Sequence, residues 1–95
     1  MDSKEKKLEI IREKLKQLLV ENLSLEGLKP ENIKDDELIF GEGLGLDSLD
    51  AVEIVVILQR NFGIEIKDMN EGRKILRSVD SISRHIYDHQ HKKPA

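Results

Sequence analysis

Cysteine and tryptophan are absent from this 95-residue chain, proline occurs twice, and Phe40, Phe62 and Tyr87 are its only aromatic residues. Without cysteine there is no disulfide framework, no thiolate metal site and no cysteine nucleophile, so any thiol chemistry must be imported. With so few rings, the interior must be built from Leu, Ile and Val. The length suits one domain of the usual ~50–250 residues, which at this size buries roughly 60–70% of its unfolded surface. The expectation is a single domain over residues 1–95, folded from about residue 4 to 88, with 89–95 as a polar tail. The longest apolar run, residues 54–58, is far short of the roughly 20 residues that span a bilayer. Residues 1–16 are too charged for a secretory signal. A cytoplasmic protein without a membrane span is expected, and nothing in the composition requires more than a monomer.

The formal net charge of -3 hides a division along the chain. Lys4, Lys6, Lys7, Arg12, Lys14 and Lys16 make the first segment basic, whereas residues 31–71 hold eleven acids against Lys34, Arg60 and Lys67. An acidic middle repels nucleic acid phosphates and attracts basic protein patches, which argues against a nucleic acid partner.

Leu8, Ile11, Leu15, Leu18, Leu19 and Leu23 recur at three- and four-residue steps, which predicts an amphipathic first helix over residues 8–23, capped by Ser3 or Asp2. The charges on its outer face require no role beyond solvation. Periodicity then disappears from 24 to 47, where Gly27, Pro30, Gly41, Gly43 and Gly45 interrupt the pattern. That loop is long for a compact domain. Its Leu28, Ile33, Leu38, Ile39, Phe40, Leu44 and Leu46 predict that it folds back on the helices and is functional. Asp47 is a cap for a second helix over 49–62, stopped by Gly63. Ala51, Ile54, Val55, Leu58 and Phe62 form its core stripe. Leu49, Val52 and Val56 fall on another side beside Asp50 and Glu53, either buried by further packing or exposed as an acid-rimmed docking strip. Residues 64–66 alternate as a strand would, but their one possible partner is 38–40, so a loop is expected. Residues 70–76 predict a short third helix despite Gly72. Ser78 caps a last helix carrying Val79, Ile82 and Ile86. The fold class is all-α, a four-helix bundle.

The chemistry concentrates where the glycine-rich loop meets the second helix, at Gly45-Leu46-Asp47-Ser48-Leu49-Asp50. There Ser48 is presented in the first turn, at the positive end of the helix dipole, where a phosphodiester would meet unpaired backbone N–H groups. Ser48 could equally be an ordinary residue of a helix start. The glycines would let a modifying enzyme approach closely. Other chemistries fit less well. His85, His89 and His91 lie at a fraying polar end beside Lys92 and Lys93, with no glycine-framed or carboxylate-rich geometry to complete a metal site. Asp35, Asp36 and Glu37 lack the alternate spacing of a calcium loop. The Ser48 segment lacks the second glycine of a nucleophile elbow. Neither a catalytic residue nor a metal ligand is expected.

Residues 46–53, Leu-Asp-Ser-Leu-Asp-Ala-Val-Glu, resemble the Asp-Ser-Leu attachment motif of acyl carrier proteins of fatty-acid and polyketide pathways, and the helix spacing matches that family over nearly the whole chain. The resemblance implies that the protein is not an enzyme. A phosphopantetheinyl transferase would use coenzyme A to place a 4'-phosphopantetheine arm on Ser48, and the arm would hold an acyl thioester. It implies that Asp47 meets basic or metal-bound groups of the transferase. Leu49, Asp50, Val52, Glu53 and Val56 would be read by transferase, acyl-loading ligase or synthase enzymes with basic docking patches. Ala51, Ile54, Leu58 and Leu76 would line a shelter for the acyl chain. Gln59 and Arg60 depart from the acidic run of typical members, and the 40–46 segment resembles a subset of specialised carriers, which together imply a specialised pathway. The stretch from Met69 to Arg77 is a residue or two longer than usual. A peptidyl or aminoacyl carrier, or a helical adaptor that has lost the arm, are the alternatives; Asp47 favours acyl cargo.

Overall fold

The computed structural model describes residues 3–23, 27–41, 43 and 45–91, the Met69 side chain excepted. Within them lie α1 (Ser3–Leu23), a 3-10 turn (Pro30–Asn32), α2 (Ser48–Phe62), α3 (Met69–Ile75) and α4 (Val79–His91), with isolated bridges in place of strands. The all-α bundle is thus the observed fold. No described helix is long and apolar enough to cross a membrane.

In α1, Leu8, Ile11, Leu15 and Leu19 are buried as their spacing requires, and Leu18 is half-buried. Ser3 is the first described residue of this helix; Asp2, the other capping candidate, lies outside the described residues. The helix packs mainly along α4, whose Val79, Ile82 and Ile86 are fully buried, and also against α2, whose Ile54 and Leu58 belong to the same core. Ile57 is buried as well, although it was not among the expected core positions; it lies one turn beyond Ile54 and widens the stripe.

The described residues of the 27–47 connection form a packed strap. Ile33, Ile39 and Leu46 join the core, and Phe40 packs against it. Its backbone is tied by Ile39 N donating to Arg77 O (2.9 Å) and by a bridge between Leu38 and Ser78. Residues 38–40 therefore pair beside the start of α4, and 64–66 is a loop, as expected. Pro30 opens a helical turn that aperiodic hydrophobicity did not reveal. Leu44 lies outside the described residues.

The outer face of α1 does more than meet solvent. Arg12 Nη2 lies 2.8 Å from Asp80 Oδ1 and Lys16 Nζ 2.7 Å from Asp35 Oδ1, while Asp80 N donates to Asp35 O at 2.7 Å. Lys16 is buried, its aliphatic stem lying along the apolar surface while its ammonium reaches the carboxylate. This clasp fastens the strap to α1 and α4 at once. Arg84 joins it from α4, with Nε 3.0 Å from Asp80 Oδ2. Burial acts to raise the pKa of Asp80, but hydrogen bonds and charge from Arg84 and Arg12 outweigh it and hold the carboxyl below its ordinary value.

The third helix begins one residue earlier than expected because Asp68 caps it, accepting from Asn70 N at 3.0 Å. At the start of α4, Ser78 and Ser81 cap reciprocally: Ser81 N donates to Ser78 Oγ (3.1 Å) and Ser78 N to Ser81 Oγ (2.9 Å). That helix runs to His91, beyond the expected start of the polar tail. His91 stacks on Tyr87, with ring centroids 4.0 Å apart, and its Nδ1 lies 2.9 Å from Tyr87 O. The carbonyl can only accept, so Nδ1 carries the proton.

Candidate functional site

The start of α2 is built by a reciprocal carboxylate cap. Asp47 Oδ1 accepts from Leu49 N (3.0 Å) and Asp50 N (3.2 Å), and Asp50 Oδ2 accepts from Asp47 N (3.0 Å). Ala51 N then donates to Asp47 O, the first bond of the helix. These contacts correct one expectation: most of the N–H groups offered to a phosphodiester are already satisfied by Asp47. What remains for an anion is the dipole of a 15-residue helix, whose favourable end is partly offset by the two caps' own charge.

Ser48 is the first residue of α2, and it is exposed. The chain reaches it through Gly45, whose φ of 73° is strained for any residue with a side chain. Gly43 has a different reason to be glycine, since a Cβ there would collide with the carbonyl of Leu38. The loop glycines thus serve the chain's own close turn, a requirement distinct from access for a modifying enzyme.

One turn along the helix from Ser48, Val52 is 61% exposed, and Leu49 beside the serine is 78% exposed. Glu53 is exposed, while Asp50 and Val56 are half-buried. Of the two packings open to this side of α2, the structure has the exposed one: large apolar side chains in water with acids around them. Arg12, Lys16 and Arg84 are committed to Glu5, Asp35 and Asp80, which leaves the α2 acids outside that network. Asp50 is tied through its cap, so its carboxylate is less free than that of Glu53.

Behind this surface, between α2 and α3, is an apolar cavity of about 70 Å³. Ala51, Val52 and Val55 form its α2 wall, and Phe40, Ile66 and Leu76 close it from the strap, the following loop and the end of α3. Ala51 and Leu76 lie where expected. Ile54 and Leu58 do not line the cavity and belong to the main core. The sequence reading missed Phe40, Ile66 and Gly72 as lining residues, because three separate segments bring them together. A wider open groove of about 460 Å³ borders Lys7, Ile10, Lys14 and Phe62. It lies at the far end of α2, about 21 Å from Ser48 at 1.5 Å per residue, too distant to act with the serine. Among the described residues, no three His, Asp or Glu side chains gather as a metal ion would need.

Comparison with known proteins adds the family. The family model described as "Phosphopantetheine attachment site" matches residues 13–70, a stretch that contains Ser48 and the α2 surface. The chain is 38% identical over 72 residues to the acyl carrier protein of Nitratidesulfovibrio vulgaris strain DP4, covering 76% of this chain and 88% of that protein; the Hildenborough strain's protein matches equally. The acyl carrier protein of strain Miyazaki F is 37% identical over 73 residues, covering 77% and 90%.

Proposed function

The chain belongs to the phosphopantetheine-attachment family of acyl carrier proteins, and from that premise we propose that Ser48 is the residue that bears the arm. A carrier of this family is not an enzyme; it holds acyl groups on covalently attached 4'-phosphopantetheine and works with transferases and biosynthetic enzymes. When bound, the arm supplies the thiol that this cysteine-free chain lacks.

The observation that carries the assignment is an exposed hydroxyl at the first position of α2, held there by the Asp47–Asp50 cap and flanked by exposed Leu49 and Val52. Exposure leaves room for a second protein to reach the oxygen. The cap keeps the serine in one backbone conformation when that protein arrives. Asp47 acts first as a cap and offers its charge to the transferase. Leu49, Val52 and Glu53 form the centre of the docking face, with Asp50 and Val56 at its edges. Basic patches on the partners suit those acids, and the apolar pair adds area that water releases on contact. Arg60 and Gln59 are exposed at the far end of α2, so an enzyme that reads the whole helix meets a cation where it expects an acid. This favours a specialised acyl pathway over general fatty-acid synthesis. The carrier acts as a monomer in the cytoplasm, where its coenzyme A donor is available.

The test is incubation with coenzyme A, magnesium and a broad-specificity phosphopantetheinyl transferase, followed by intact mass measurement of wild type and Ser48→Ala. Wild type gains the mass of one arm, and Ser48→Ala gains nothing. Equal labelling of both proteins would place the arm on another residue, and labelling of neither would favour an unmodified adaptor.

A further inference from the structure

The open groove at the far end of α2 has a charge opposite to that of the Ser48 end. Ile10 is 67% exposed in it, with half-buried Phe62 and buried Ile11 beside it, and Lys7, Lys14 and His91 stand around them. No carboxylate lines the groove, although acids outnumber bases in the chain. Arg12, Lys16 and Arg84 have carboxylate partners; among the described residues, Lys7 and Lys14 have none. Lys14 Nζ instead lies 5.4 Å from the Phe62 ring centroid, and Lys7 Nζ lies 3.3 Å from His91 Nε2. Because Nδ1 of His91 carries the proton, Nε2 accepts from Lys7, and a neutral imidazole cancels none of the lysine's charge. Two uncompensated cations beside exposed apolar area are the complement of an acidic segment that carries an apolar anchor.

Spacing narrows the partner further. Lys7 and Lys14 are seven residues apart on one face of α1, about 10.5 Å along its axis at 1.5 Å per residue, with Ile10 between them. A helix laid along α1 matches that interval when it carries two acids seven positions apart and an apolar residue three or four places after the first. No described helix of this chain carries such a pair of acids; seven positions after Glu53, for example, stands Arg60. A second copy of the chain is therefore a poor occupant. A flat bilayer is another, since Ile11 and Phe62 lie deeper than the lysines and suit a side chain inserted between them.

We propose that this groove is a second docking surface, which takes an acidic amphipathic helix of a partner protein. Its carboxylates meet Lys7 and Lys14, and its apolar side chain seats against Ile10 and Phe62. Ser48 stands at the opposite end of α2, so a partner held here leaves the serine open to another enzyme. The contact does not depend on whether Ser48 bears an arm.

The experiment titrates the unmodified full chain into a labelled peptide, stapled into a helix, with two Glu seven positions apart and Leu at the third and fourth places after the first. Anisotropy reads the affinity and backbone amide shifts read the place. Binding saturates, shifts gather at residues 7–14, 61, 62 and 91, and added salt weakens the complex. Lys7→Glu combined with Lys14→Glu weakens it at least about tenfold, and Ile10→Ala about fivefold. A peptide with Lys in place of both Glu fails to bind wild type and binds the doubly substituted protein, so the charge pairing is read from the peptide side as well. Ser48→Ala binds the acidic peptide as wild type does, which separates this surface from the attachment site.

No saturation at about 1 mM protein overturns the proposal, as does equal affinity in the doubly substituted protein. Shifts centred on Leu49 and Val52 would place the peptide on the α2 face and overturn it too. Binding of wild type to phosphatidylglycerol vesicles, or self-association, that is lost in the doubly substituted protein while the peptide stays unbound would give the groove to a lipid surface or a second copy and overturn the helix.

Discussion

Two acidic regions of this small protein are used in opposite ways. Asp35 and Asp80 are spent internally: both meet cations of α1, one holds the strap and the other holds α4. Around Ser48, Asp47 and Asp50 cap their own helix, Glu53 stays in water, and Leu49 and Val52 are exposed beside them. The first region converts charge into a fixed position for the loop that delivers Ser48. The second leaves charge and apolar area exposed. Acid content alone does not separate them; among the described residues, the difference is that the first pair has cations in contact and the α2 acids form none of the ion pairs.

If the clasp is structural and the α2 face is not, substitutions should divide cleanly between stability and recognition. The largest stability effect is expected from Arg12→Ala, which removes the guanidinium from Asp80 and leaves a half-buried carboxylate short of a partner. A loss of about 1.5–3 kcal/mol, read from the urea midpoint at constant slope, is the size for a charge-assisted hydrogen bond. No change would mean the clasp is merely a surface ion pair. Glu53→Lys should do the reverse, leaving stability within about 0.5 kcal/mol while raising the transferase KM for the carrier about tenfold. An equal fall in stability would show that Glu53 belongs with the internal acids.

The smallest expected effect is a pH dependence that belongs to one region only. Because the folded-state pKa of Asp80 is lowered, its ionised form contributes stability above the ordinary carboxylate pKa. That contribution is lost as pH falls through the lowered folded value. Melting temperatures of wild type should therefore drop more steeply on acidification than those of Asp80→Asn. Parallel curves would remove Asp80 from the account of acid sensitivity.

Much of the architecture could be read from residues near one another in the chain. The second helix is bounded by Asp47 and Gly63, and both act as local signals: the carboxylate accepts from N–H groups two and three residues on, and the glycine takes φ 67° to close the last turn. The apolar spacing of α1 and α4 needs only the helical period. Ser48 and its exposed neighbours were legible for the same reason, since angle around one helix places them together. The start of α3 was read one residue late, because Asp68 as a cap competes with several acids nearby. The end of α4 was read short because the Tyr87–His91 stack compensates for polar composition.

What the sequence by itself determined about this protein is therefore the set of helices, their caps and the presentation of Ser48, all properties of interactions within a few residues. Only the tertiary structure decided which charges are spent and which are free, since Arg12 and Asp80 are 68 residues apart. It alone decided that Phe40, Ile66 and Gly72 share one cavity. Such contacts depend on how the strap and α3 come to rest on α2, a geometry that no single segment encodes.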